Sequence, residues 1–139
     1  AYVKYLRPEI RIIGVESEES NCLQAALAAG SRVVLPKVGR FADGVAVAQV
    51  GEHNFALCRH YVDEVITVSN DDICAAVRDI YDDTRSITEP SGALAVAGLK
   101  AYVAREEIKD QVLVAINSGA NIDFDSLRHV IERAGQCGR

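Results

Sequence analysis

Val112-Leu113-Val114-Ala115-Ile116-Asn117-Ser118-Gly119-Ala120-Asn121 joins a β-branched run to a small, polar turn. Five consecutive apolar residues rich in Val and Ile read as a strand covered on both faces, the pattern of a parallel sheet. Three other runs have the same character: residues 11–15, residues 65–68 and the shorter 32–35. Between them lie segments of helical period. Residues 20–29 stop at Gly30, a C-cap residue. Residues 43–61 place Val47, Val50, Phe55, Leu57 and Cys58 at near-helical spacing. Ser69-Asn70-Asp71-Asp72 caps a helix predicted over 73–81. Residues 91–104 form an Ala-rich helix in which Gly92 and Gly98 permit close packing. Residues 123–134 form the last helix, with Asp125 early and Arg133 late, as the macrodipole favours. Strands alternating with helices predict an α/β fold, a three-layer, doubly wound and mostly parallel sheet. Residues 1–134 read as one unit and 135–139 as a linker or tail.

Composition narrows the function. The chain has 139 residues, 49% of them apolar, which suits one ordinary domain with a real core. Its 15 basic and 20 acidic residues are interspersed and give a net charge of −5. Nucleic acid is a poor partner for such a surface, because phosphate binding needs a concentrated basic face. No apolar run approaches the roughly 18–20 residues of a membrane helix. Residues 1–10 are mixed and polar, unlike a signal peptide, and the first residue is Ala rather than Met, so an upstream stretch is expected. Cys22, Cys58, Cys74 and Cys137 form no C-x-x-C pair, and the first three fall in apolar patterns. Buried free thiols in a reducing cytoplasm are the expectation. His53, His60 and His129 are expected at the surface, and none of Lys4, Lys37, Lys100 and Lys109 has the setting of a buried reactive amine.

In open α/β sheets ligands bind beyond the carboxyl ends of the strands, which points first to residues 117–121. Ser118 offers a hydroxyl that donates and accepts. Gly119 allows a sharp turn or a close approach. The plain alternative is a tight turn and helix cap. Glu89-Pro90-Ser91-Gly92-Ala93 reads as a helix start with Pro at N1, or as a carboxylate at a glycine-lined cleft. Phe41-Ala42-Asp43-Gly44-Val45-Ala46-Val47 reads as a turn before a helix, or as free N–H groups facing a ligand. Glu16-Ser17-Glu18-Glu19-Ser20 offers oxygen ligands to a hard cation, or a solvated capping turn.

Taken together, Val15 with the stretch 16–23, FADGVAV at 41–47, EPSGA at 89–93 and SGAN at 118–121 resemble, in order and spacing, the threonine deaminase (threonine ammonia-lyase) branch of the fold-type-II pyridoxal-phosphate enzymes. Serine racemase and serine dehydratase are relatives in that family. The likeness covers nearly the whole chain and implies the carboxyl-terminal portion of a catalytic domain. It implies pyridoxal 5'-phosphate as cofactor and β-elimination of L-threonine to 2-oxobutanoate and ammonia, the entry to isoleucine synthesis.

Residue by residue, the resemblance places the Ser118 hydroxyl at the pyridine nitrogen, Gly44 beside the ring and Glu89 at its far side, with Gly119 and Asn121 shaping the same turn. It also implies a divalent-cation site at Glu16, Ser20 and position 22, where Cys22 replaces an aspartate, so no metal is expected. No residue here matches the family's Schiff-base lysine or its tetraglycine phosphate loop. The segment alone is therefore expected to be inactive. It is expected to pair with the rest of the catalytic domain and a regulatory domain, and to form a homo-oligomer. A non-catalytic α/β ligand-binding or assembly module, or a serine/threonine dehydratase-like relative, remains open.

Overall fold

The computed structural model describes residues 1–136. Its elements run α1 (Tyr2–Leu6), β1 (Ile13–Ser17), α2 (Cys22–Ala29), a 3-10 turn (Asp43–Val45), α3 (Glu52–Tyr61), β2 (Glu64–Val68), α4 (Asn70–Thr84), α5 (Pro90–Glu106) and α6 (Phe124–Gln136). The two strands pair in parallel, with Ile13 opposite Glu64 and Ser17 opposite Val68. Chain between them crosses over through α2 and α3, as a parallel pair requires.

Successive strand residues point to opposite faces, and this locates the helices. Val15 meets α5 at Gly98. Its neighbour Glu16 reaches the start of α2 instead, accepting from Leu23 N at 2.9 Å and Gln24 N at 2.8 Å. Helices α2 and α5 therefore cover opposite faces, giving the helix–sheet–helix layering expected of an α/β fold. The main core gathers Val68, Ile73, Cys74, Ala76, Val77, Ala93, Leu94, Ala97, Val130 and Ala134, so it is built by β2, α4, α5 and α6. A smaller cluster of Cys22, Ala26 and Val50 lies under α2, with Val33, Leu35 and Phe55 against it.

Several expectations change. Residues 112–116 carry no ladder among the described residues, and Val112 is 94% exposed. Residues 32–35 likewise form no strand; Leu35 N donates once, to Ala48 O at 2.8 Å. A β-branched run becomes a strand only where a neighbour supplies a ladder of hydrogen bonds, and neither run pairs in a ladder among the described residues. The single helix predicted over 43–61 is a 3-10 turn, an irregular stretch and then α3. Gly51 is the N-cap of α3, and the Ala48 carbonyl is turned to Leu35 rather than to a helix. Residues 1–10 contain α1, which buries none of its residues and is tied down by Lys4 to Asp63 at 2.7 Å. The expected tail begins inside α6, which includes Gly135 and Gln136; residues 137–139 lie outside the described residues.

The ends of α4 and α5 follow local chemistry. Ser69 and Asp72 form a reciprocal capping box at α4, and Arg85 closes that helix in the left-handed region at φ 59°. Pro90 is the first residue of α5, whose N-cap is Glu89.

Helix α5 sets the position of everything that follows. Its carboxyl end carries Arg105, paired with Glu64 at the start of β2 at 2.6 Å. Gly98, near its middle, meets the middle of β1. The helix thus runs antiparallel to the strands. Pro90 lies eight residues before Gly98, about 12 Å along the axis at 1.5 Å per residue. The strand residue Ser17 is only two beyond Val15, so the amino end of α5 projects past the strands' carboxyl ends.

Candidate cofactor site

Three separated pieces of chain converge at the amino end of α5. A Cβ added to Gly119 would overlap Glu89 Oε1 and stand 2.9 Å from its Cδ. A Cβ added to Gly92 would collide with the Gly119 carbonyl and lie 2.9 Å from Gly119 N. From the other side, a Cβ on Gly44 would be 3.0 Å from Ser91 Oγ and 4.0 Å from Glu89 Oε1. The turn at 117–119, the helix start at 89–92 and the 3-10 turn are therefore in direct contact, and three glycines make the contact possible. Gly119 does not adopt the left-handed conformation, which among the described glycines is seen at Gly30 (φ 69°). At position 119 the missing side chain leaves room for the Glu89 carboxylate.

The hydrogen bonds agree. Glu89 N donates to Gly119 O at 3.1 Å, and Thr88 Oγ1 lies 2.7 Å from the same oxygen. Thr88 Oγ1 also lies 2.7 Å from Asn117 Oδ1. Ser118 sits between these two anchored neighbours and is exposed. Asn121 is exposed too, two residues beyond Gly119. Thus Gly44, Glu89 and Gly119 come together, and Ser118 and Asn121 flank Gly119 as exposed residues.

This floor has polar capacity to offer. Pro90 has no N–H, and the first N–H groups of a helix lack intrahelical partners. Glu89 makes no side-chain cap bond to them. Ser91 Oγ is buried, its residue only 7% exposed, and has no hydrogen-bond partner. A buried hydroxyl without a partner is uncommon and marks a place where a polar group is accommodated. Two side-chain-free backbones, an open carboxylate and an uncommitted hydroxyl at a positive helix end fit a flat heterocycle with polar substituents, as in pyridoxal phosphate.

The acidic stretch after β1 is arranged differently. Both Glu16 oxygens accept helix N–H groups of α2. Ser20 is buried, and burial together with the Glu16 charge pushes the Cys22 thiol up from its ordinary range. Among the described residues no group of three or more His, Cys, Asp or Glu is gathered for a metal. Glu16 serves as a helix cap supplied from a distance. Cys22 and Cys74 are buried and outside any disulfide, Cys58 is half-buried and likewise unbridged, and Cys137 lies outside the described residues. All three histidines are exposed.

The pattern of the pyridoxal-phosphate dependent enzymes matches residues 1–119. The chain belongs to that family. Within this pyridoxal-phosphate enzyme family the chain is 58% identical to L-threonine dehydratase biosynthetic IlvA of Burkholderia multivorans over 134 residues, 96% of this chain and 26% of that protein. It is 53% identical to L-threonine dehydratase biosynthetic IlvA of Escherichia coli over 131 residues, 94% of this chain and 26% of that protein. Among solved structures, the processed form of threonine deaminase isoform 2 from Solanum lycopersicum superposes with a TM-score of 0.95 at 48% identity, covering 96% of this chain and 39% of that one. The chain spans about a quarter of the length of the curated relatives it matches. These findings support the family and the fold class expected from the motifs.

Thr88 escaped the sequence reading. Its signal was a lone hydroxyl residue just before the N-cap of a Pro-initiated helix, which by itself reads as loop.

Proposed function

We propose that this chain is a portion of a threonine ammonia-lyase, which converts L-threonine to 2-oxobutanoate and ammonia by pyridoxal-phosphate-dependent β-elimination. The observation that carries the reading is the neutral Ser118 turn seated on the amino end of α5, against Glu89 and opposite Gly44. When bound, the cofactor supplies an electron sink for the charge that develops at the substrate's α-carbon. Ser118, Gly119, Asn121, Gly44 and Glu89 would hold it. The neutral Ser118 hydroxyl would hold the ring nitrogen without fixing a proton there, as a carboxylate would. That limits delocalisation of the developing charge and favours prompt loss of the β-hydroxyl over transamination. Gly44 would present bare backbone to the ring, and Glu89 would give its far side a carboxylate.

Substituting Ser118→Asp in the full-length protein tests this. The ratio of 2-oxobutanoate release to cofactor-consuming side reactions is expected to fall, with L-serine compared alongside L-threonine. An unchanged ratio overturns the assigned role of Ser118. Failure of the unsubstituted protein to bind the cofactor overturns the whole reading.

Other features of the complete protein belong to the same proposal. The exposed residues of α1 and 112–116, among them Tyr5 and Val112, pack against the remainder of a catalytic domain. A regulatory domain, a homo-oligomeric state and a cytoplasmic location complete the reading; the free thiols suit a reducing compartment. A non-catalytic module is the second reading for this segment. It is favoured by Lys4 and Lys100, whose amines are held in ion pairs with Asp63 and Asp79.

A further inference from the structure

We propose that Thr88 and Asn117 form a positioning latch that fixes the Ser118 turn on α5 and thereby tunes cofactor binding. The inference rests on the cofactor reading above and deepens it by naming two residues that do not touch the ring.

Proton balance defines the latch. Thr88 is fully buried, and its hydroxyl has one proton. Its Oγ1 stands 2.7 Å from Gly119 O and 2.7 Å from the Asn117 side-chain amide. Gly119 O can only accept, so it takes the Thr88 proton. The second short contact must then be donated to Thr88, and an oxygen there would face lone pairs with lone pairs. The two ends of the Asn117 amide are alike in shape, and only its Nδ2 satisfies the contact. Asn117 Nδ2 therefore donates to Thr88 Oγ1, and Thr88 Oγ1 donates to Gly119 O.

The chain of two bonds brackets Ser118. Asn117 is held on its amino side and Gly119 on its carboxyl side, both by one buried hydroxyl. Glu89 N makes a third tie, to the same Gly119 oxygen. Thr88 immediately precedes Glu89, so one short stretch of backbone sets both the Glu89 carboxylate and the turn. Without the hydroxyl, the Gly119 carbonyl keeps one donor of two and the Asn117 amide keeps none from Thr88. Ser118 then gains freedom just where its hydroxyl must meet a ring nitrogen.

The test uses the full-length protein with pyridoxal phosphate as the titrant. Thr88→Val removes the hydroxyl at nearly constant shape, and Thr88→Ser retains it. Thr88→Val is expected to weaken cofactor binding about tenfold, as loss of a buried hydrogen-bond partner implies. It should also shift the absorption band of the bound cofactor and speed hydrogen exchange at the Glu89 amide, which donates to the Gly119 oxygen. Thr88→Ser should restore all three, and Asn117→Ala should resemble Thr88→Val.

Wild-type affinity and spectrum in Thr88→Val overturn the latch and leave the cofactor assignment standing. If the wild-type protein binds no cofactor but Thr88→Val still loosens exchange at the Glu89 amide, the latch holds as geometry and the proposed function falls. If Thr88→Val and Asn117→Ala both fail to fold while Thr88→Ser folds, the pair is a folding element, and its positioning role is overturned.

Discussion

Gly98 on α5 and Val15 on β1 touch where the glycine lacks a side chain: a Cβ there would stand 2.6 Å from Val15 Cγ1. Three atoms of Val15 crowd that point, and strand packing holds them in place. Gly98→Ala is therefore expected to destabilise the fold by about 1–3 kcal/mol, the usual range for overpacking. The double substitution with Val15→Ala should recover part of the loss, and urea unfolding of the four proteins in the cycle measures the coupling. Additive effects would show that the helix and strand do not share this contact.

Glu16 caps α2 through both carboxylate oxygens. Glu16→Ala should lower stability by about 1–2 kcal/mol, as loss of a charged cap does, and Glu16→Gln by less. Adding Mg²⁺ or Ca²⁺ should leave the wild-type Tm unchanged, because the oxygens are already engaged. A rise in Tm on cation addition that Glu16→Ala abolishes would contradict this assignment.

Gly119→Ala separates site from scaffold. The added methyl would strike the flexible end of Glu89 rather than rigid backbone, and the backbone at 119 accepts an L side chain. Tm should change little, while cofactor affinity in the full-length protein should drop as the carboxylate is displaced. Fluorescence titration with pyridoxal phosphate reads the second effect and thermal unfolding the first. Equal affinities would place Glu89 and Gly119 outside the site.

Asp63 links pH to stability. The Ile12 N–H, donating to its carboxylate at 2.7 Å, and then Lys4 hold its pKa below the ordinary 3.8. A carboxyl depressed in the folded state contributes stability above its unfolded pKa and loses it as pH falls through the folded value. The wild-type protein should thus lose stability below about pH 4. Asp63→Asn should be less stable at pH 7, with the gap closing in that acid window. Urea midpoints between pH 2 and 7 check the sign; a gap that widens on acidification refutes it.

Local chemistry was readable from residues alone, and so was the family. The Ser69 and Asp72 cap, Pro90 opening α5, and Gly30 closing α2 all act within a few residues. The βα alternation followed from apolar period, and the motifs at 41–47, 89–93 and 118–121 meet because each lies at an element end.

What lay alongside each element was another matter. Residues 112–116 have the composition of a strand but no ladder among the described residues, since pairing depends on a neighbour and not on propensity. Residues 43–61 have helical period, yet the Ala48 carbonyl serves Leu35. Glu16 was legible as an acidic turn, but its capture by α2 depends on which face of β1 the helix covers. Thr88 showed only a lone hydroxyl in a loop, because its meaning comes from Asn117 and Gly119, about thirty residues away along the chain. Short-range sterics and capping thus fixed where helices begin and end, while long-range packing against α5 decided which polar atoms share the site.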